Sequence, residues 1–224
     1  FCRKIIQSRS KFSKLAERRC HKLCDHKDKC EEFPFLRHLK KEKPKIANKI
    51  VRDSMMTTGA AWKSDEAGPN RILRWVMLET DENLLEFDID MKKLQPQVVD
   101  KLREKAADYD SCVKVAMALT FQIYQMNDAL SIPPDIKKYL ERMFGKFNSN
   151  STNCVICLLP LCFKDFDKAQ RGKAVIETCH KNPRYHTPEN VGFGHRECNI
   201  AQGGKTLSQF YEWISGIEKR RESK

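Results

Sequence analysis

No apolar run in this 224-residue chain approaches the ~18 residues needed to span a bilayer, which excludes an integral helical membrane protein. The opening stretch, FCRKIIQSRSKF, carries charge where a secretory leader would be apolar. No membrane partner is therefore expected, and an intracellular location is. Glycine and proline number only nine each, too few for a low-complexity chain. An acidic excess is missing as well: 42 Lys and Arg face 30 Asp and Glu, a formal charge of +12.

What the chain does have is ten cysteines and an uneven charge. In an intracellular setting cysteines at this density point to metal ligation before disulfides. Residues 1–50 hold 16 basic and 6 acidic side chains, 51–150 hold 14 and 16, and 151–224 hold 12 and 8. A basic block of that density attracts polyanions, because binding phosphates releases their counterions.

The expected architecture is α+β, with three parts. A basic segment occupies 1–50, a mainly helical region 51–150, and a small domain 151–224 after the polar stretch Asn148–Asn153. Residues 3–19 read as a helix with Ile5, Ile6, Phe12 and Leu15 near one face. Pro34 and Pro44 read as breakers in a charged stretch, and 51–70 as a loop-rich connection. Segment 71–78 suits strand or helix, and the alternation of Leu85, Phe87, Ile89 and Met91 suits a short strand. Helices are expected from Gln95 with Pro96 in the first turn, over 111–127, and from Pro134 to Phe144 with Gly145 closing the last.

The sharpest pattern follows the polar stretch. Cys154-Val-Ile-Cys157 and His195-Arg-Glu-Cys198 are two pairs with two residues between their members, a spacing at which a tight turn aims both ligands at one ion. Together they supply the four soft donors of a tetrahedral zinc site. Leu158, Leu159, Phe163 and Phe166 are expected to pack around it, as a small metal-stapled domain requires. Between the pairs, the apolar strand from Ala174 ends in His180, and beyond the second pair stand Asn199, Gln202-Gly-Gly204 and an amphipathic stretch through Ile214.

Glu189-Asn190, His195, Cys198 and Asn199 follow at the intervals of a known pattern, and residues 154–214 resemble the zinc-bound HNH nuclease domain, the ββα-metal fold. The resemblance implies hydrolysis of phosphodiester bonds in double-stranded DNA, with restriction favoured over homing or junction resolution. His180 would be the general base, because an imidazole titrates near working pH. Asn199 would ligate a catalytic divalent cation, Mg²⁺, through its side-chain oxygen. Asn190 would fix the loop that orients His180, and the zinc would be structural. One chain carries one such site and cuts one strand, so a homodimer is expected.

Cys179 departs from the pattern, standing where the family has Asp or His. Thiolate is a soft ligand, poorly matched to Mg²⁺. Three readings follow: Asn199 and DNA phosphates hold the cation alone, Glu177 reaches the site, or the chain is a catalytically weakened zinc-containing module that only binds nucleic acid. His186 competes with His180 for the part of base. Near the N-terminus, Cys20, Cys24 and Cys30, with one of His21, His26 or His38, are candidates for a second zinc site or for decoration of a basic helix. Cys2, Cys112 and Cys162 have no partner at useful spacing and read as ordinary thiols.

Overall fold

The computed structural model describes residues 33–57, 63–64, 68–69, 73–85, 90–168 and 173–223. The chain forms two compact units, Phe1–Ala116 and Met117–Lys224. The expected 3–19 helix and the Cys20, His21, Cys24, His26 and Cys30 cluster lie outside the described residues.

In the first unit a 3-10 turn, Pro34–Leu36, leads into α1 (Arg37–Glu42) and α2 (Pro44–Met55). Pro44 was expected to break structure and instead starts a helix of 12 residues. It sits in the first turn, where its missing N–H and fixed φ are no handicap. Ile46, Ala47, Ile50, Val51, Ser54 and Met55 then fall at helical spacing and are buried, so the helix runs well into the expected loop. Helices α1 and α2 pack together. The short pairing of β1 (Lys63–Ser64) with β2 (Gly68–Pro69) is antiparallel.

Segment 71–78 is neither strand nor α-helix where it is described: Arg74–Leu78 is a 3-10 turn with Arg74, Trp75, Val76 and Met77 buried. Arg74 explains the choice. Its guanidinium donates to the Lys105 carbonyl at 3.0 Å and the Asp53 carbonyl at 3.3 Å, partners distant in sequence. A short helix α3 (Asp81–Leu85) ends on Leu85, and Met91 opens another 3-10 turn. The two ends of the expected 85–91 strand are therefore not strand, and 86–89 lie outside the described residues. Next, α4 (Pro96–Glu104) packs on the 74–78 turn, and Trp75 meets Tyr109 edge-on at 5.2 Å. Helix α5 (Tyr109–Tyr124) passes from the first unit into the second.

The second unit holds α6 (Pro134–Phe144), the strands β3 (Ile176–His180) and β4 (Val191–His195), then α7 (Arg196–Gln202) and α8 (Leu207–Glu222). The strands pair antiparallel, Ile176 opposite His195 and His180 opposite Val191. The architecture is α+β, as expected. The polar stretch 148–153 is fastened within this unit: the Ser151 and Thr152 N–H groups both donate to the Gln125 carbonyl, at 2.9 and 3.1 Å. Phe163, Phe166 and Phe193 form an edge-to-face chain beneath β4, with centroids 6.2 and 5.5 Å apart. Thr206 and Gln209 close a capping box at the start of α8. Among the described residues no helix is long and apolar enough to cross a membrane.

Candidate active site

Two antiparallel strands and the helix that follows them position the candidate side chains. The Cys154–Cys157 knuckle is closed by Leu158 N–H donating to the Cys154 carbonyl at 3.0 Å and by Cys154 N–H donating to the Leu159 carbonyl at 2.8 Å. Leu158 adopts a left-handed φ of 63°, which turns the chain outward. Leu158 and Leu159 are consequently exposed rather than packed around the knuckle as expected. Val155 N–H donates to the Phe193 carbonyl at 3.0 Å and docks the knuckle on β4. Tyr211 on α8 donates to the Ile156 carbonyl at 2.5 Å from the other side.

The two glycines of β4 make that docking feasible. A side chain on Gly192 would collide with Val155, and one on Gly194 would lie 2.8 Å from the Cys179 sulfur and 3.2 Å from that of Cys154. Cys154, Cys157, His195 and Cys198 then converge, with their ligand atoms all within 4.8 Å of one another. His195 Nδ1 lies 3.3 Å from Cys157 Sγ and 3.9 Å from Cys198 Sγ. Tetrahedral zinc, with bonds of about 2.0–2.3 Å, sets ligand–ligand edges of about 3.5–3.8 Å. The donors fit.

The thiol electrostatics agree. Burial pushes the Cys154 thiol up, but N–H groups of Cys157, Ile156 and His195 aimed at its sulfur outweigh this and hold it below the ordinary thiol range. Cys198 is pushed up to about 12, by burial first, then by hydrogen bonding to Cys157 and the charges of Cys154 and Cys157. Elsewhere, burial drives the Cys112 thiol up to about 12 and leaves it inert.

His180 ends β3, and its backbone carbonyl accepts from the Gln202 side chain at 2.9 Å. Gln202 is almost fully buried and also donates to the Lys205 carbonyl at 2.9 Å, so the end of α7 is pinned to the end of β3. His180 Nε2 lies 3.1 Å from Nδ1 of the buried His186. Asn190 staples the intervening loop: Oδ1 accepts from Asn182 N–H at 2.8 Å, and Nδ2 donates to the carbonyls of Asn182 at 2.7 Å and Tyr185 at 2.5 Å.

Asn199 lies on α7, one residue past Cys198, and its Nδ2 donates to Glu177 Oε2 at 2.8 Å. Arg196 reaches the other carboxylate oxygen at 3.4 Å. A carboxylate only accepts, so the amide nitrogen must face Glu177, and Oδ1 is aimed away from it. Cys179 is fully buried, donates to the Glu177 carbonyl at 3.5 Å, and flanks Gly194 beside Cys154. Its thiol thus belongs to the packing under the knuckle.

Sequence reasoning missed Gln202 and Gln122 as site supports. Gln122 on α5 bonds the edge of β4 with both ends of its amide, donating to the Val191 carbonyl and accepting from Phe193 N–H, each at 3.3 Å. No local signal marks Gln122. Gln202 precedes a Gly-Gly pair, and that cue was visible.

The DraIII family model matches residues 32–198. The chain belongs to the DraIII family of restriction endonucleases. A crystal structure of a type II restriction endonuclease is 44% identical, with a TM-score of 0.74, and the match covers 89% of this chain and 87% of that one. No curated protein matches in the same kind of comparison. The DraIII match takes in the helical region 51–150, outside the stretch 154–214 that resembles the HNH domain, and it agrees with restriction-type cleavage over homing or junction resolution.

Proposed function

We propose that this chain is a metal-dependent endonuclease of the HNH class that hydrolyses phosphodiester bonds of double-stranded DNA. The observation that carries this reading is the order in one ββα unit: His180 closes the first strand, Asn190 staples the loop, and Asn199 follows the last of four clustered soft ligands. Cys154, Cys157, His195 and Cys198 would hold zinc in a structural part, since four protein ligands would complete a tetrahedral site.

His180 takes a proton from the water that attacks phosphorus, and the bond from phosphorus to the leaving oxygen breaks. Asn199 would hold a divalent cation, Mg²⁺, through its side-chain oxygen. Such a cation polarises the phosphate and offsets charge on the leaving oxygen. Glu177 accepts from the amide nitrogen of Asn199, and its part in this reading is to fix which amide atom is presented. With Cys179 buried, the reading we favour is the first, in which Asn199 and DNA phosphates hold the cation alone. The basic first 50 residues and the helices up to 150 grip DNA, and two copies cut the two strands.

The test is plasmid cleavage with Mg²⁺. His180→Ala is expected to reduce cleavage by roughly 10²- to 10⁴-fold, the scale of general-base catalysis. Equal cleavage by wild type and variant sinks the proposal.

A further inference from the structure

Two imidazoles face each other at the end of β3. His180 Nε2 and His186 Nδ1 lie 3.1 Å apart, with ring centroids 5.4 Å apart and planes tilted by 40°. His186 is only 4% exposed, while His180 is half-buried. A neutral imidazole has one N–H and one lone-pair nitrogen, so the proton between the rings belongs to one of them and fixes the tautomer of both. If His186 donates, the only lone pair of His180 is turned into the interior, and no base faces substrate. If His180 donates through Nε2–H, its lone pair sits on Nδ1.

The loop holds His186 for this purpose. The carbonyls on either side of it are both fastened by the Asn190 region: Tyr185 accepts from Asn190 Nδ2 at 2.5 Å, and Thr187 accepts from the Asn190 and Val191 N–H groups, both at 3.1 Å. Asn190 therefore sets the place of the residue that meets His180, as well as the turn of the loop.

We propose that His186 is a positioning residue for His180, accepting the Nε2–H of His180 on its own Nδ1 and thereby keeping the lone pair of His180 on Nδ1. When His180 Nδ1 takes the proton from water, Nε2–H stays in place, and its bond to His186 becomes charge-assisted. The logic is that of a base oriented by a third group, with a buried imidazole in place of a carboxylate. This inference rests on His180 being the base.

The experiment combines kinetics and spectroscopy on the full chain. His186→Leu removes the acceptor, and His186→Asn places an amide oxygen near the position of Nδ1. Cleavage of plasmid DNA with Mg²⁺ is expected to show kcat reduced roughly 100-fold in His186→Leu with KM nearly unchanged, and restored to within about tenfold of wild type in His186→Asn. Ring ¹⁵N spectra of the wild type without DNA are expected to show His180 as the Nε2–H tautomer, a readout that does not require His186→Leu to fold. A wild-type kcat in His186→Leu, no recovery in His186→Asn, or His180 found as the Nδ1–H tautomer each overturns the proposal. An inactive His180→Ala beside a fully active His186→Leu overturns this inference alone. A fully active His180→Ala overturns the base assignment, and this inference with it.

Discussion

The two units of this chain are stabilised by different means. In the first, Phe35, Leu36, Leu39, Ile50, Met55 and Leu84 are fully or almost fully buried, and long-range polar work is concentrated in two arginines. Arg74 gathers the carbonyls of Lys105 and Asp53, and Arg103 those of Met77 and Glu79. In the second, the site is assembled from fixed-geometry polar groups: three thiols clustered with an imidazole, the Asn190 staple, the amides of Gln122 and Gln202, and the Glu177–Asn199 bond. Apolar packing accepts many side chains of similar volume, whereas ligation and amide staples demand a residue type at a position. The first unit can therefore drift in sequence without losing its fold. The second cannot do so around its knuckle.

The largest expected effect lies in that knuckle. Cys198→Ser is expected to abolish cleavage and unfold the 154–214 region, because metal binding to such a site is folding free energy. Zinc content by emission spectrometry and circular dichroism on heating check this. Retention of both activity and melting temperature after zinc removal would erase the contrast between the units.

Leu39→Ala tests the opposite side. Removing a fully buried leucine from the first unit is expected to lower stability by about 2–5 kcal/mol in urea unfolding. Cleavage by the protein that remains folded should be unaffected. A large loss of kcat in the folded protein would show that the helical unit shapes the active site directly.

Asp53 gives a smaller effect with a defined pH window. Burial raises its carboxyl, but Lys49 at 2.7 Å and Arg52 at 2.7 Å outweigh this and lower it from 3.8 to about 2. The folded value is depressed, so the contribution is fully present above the unfolded value near 4 and is lost as pH falls through about 2. The shift corresponds to about 2 kcal/mol. Asp53→Asn should be less stable than wild type at pH 6, and that difference should shrink between pH 4 and 2. A difference constant with pH would remove the ion cluster from the account of the first unit.

The smallest effect distinguishes holding a cation from presenting its ligand. Glu177→Gln can hydrogen-bond Asn199 in either amide orientation, so Oδ1 is no longer held outward. The Mg²⁺ concentration for half-maximal cleavage is expected to rise roughly tenfold, about 1.4 kcal/mol, with zinc content unchanged. No change in Mg²⁺ response would leave Glu177 as part of the Arg196 ion pair only.

Legibility followed the same division. The cluster of Cys154, Cys157, His195 and Cys198 was readable because two matched pairs leave few alternatives, and the structure brings their four ligand-type atoms together. Helices α4, α5 and α6 were readable from apolar spacing and proline placement. The 74–78 turn was not, because a buried arginine bonded to Lys105 and Asp53 leaves no trace in local periodicity. Pro44 misled for a related reason: the residue suits both a break and a first turn, and only the buried face that follows decides.

By itself the sequence determined which residue types stand at which spacing, the two Cys/His pairs and the order His180, Asn190, Asn199, since spacing and residue type are local properties of the chain. Tertiary structure decided how those residues face one another. It turned Cys179 under the knuckle, bound Glu177 to the amide nitrogen of Asn199, and set His186 against His180. Each outcome depends on the pairing of β3 with β4 and the seating of α7, contacts between residues 6 to 22 positions apart that no local pattern encodes.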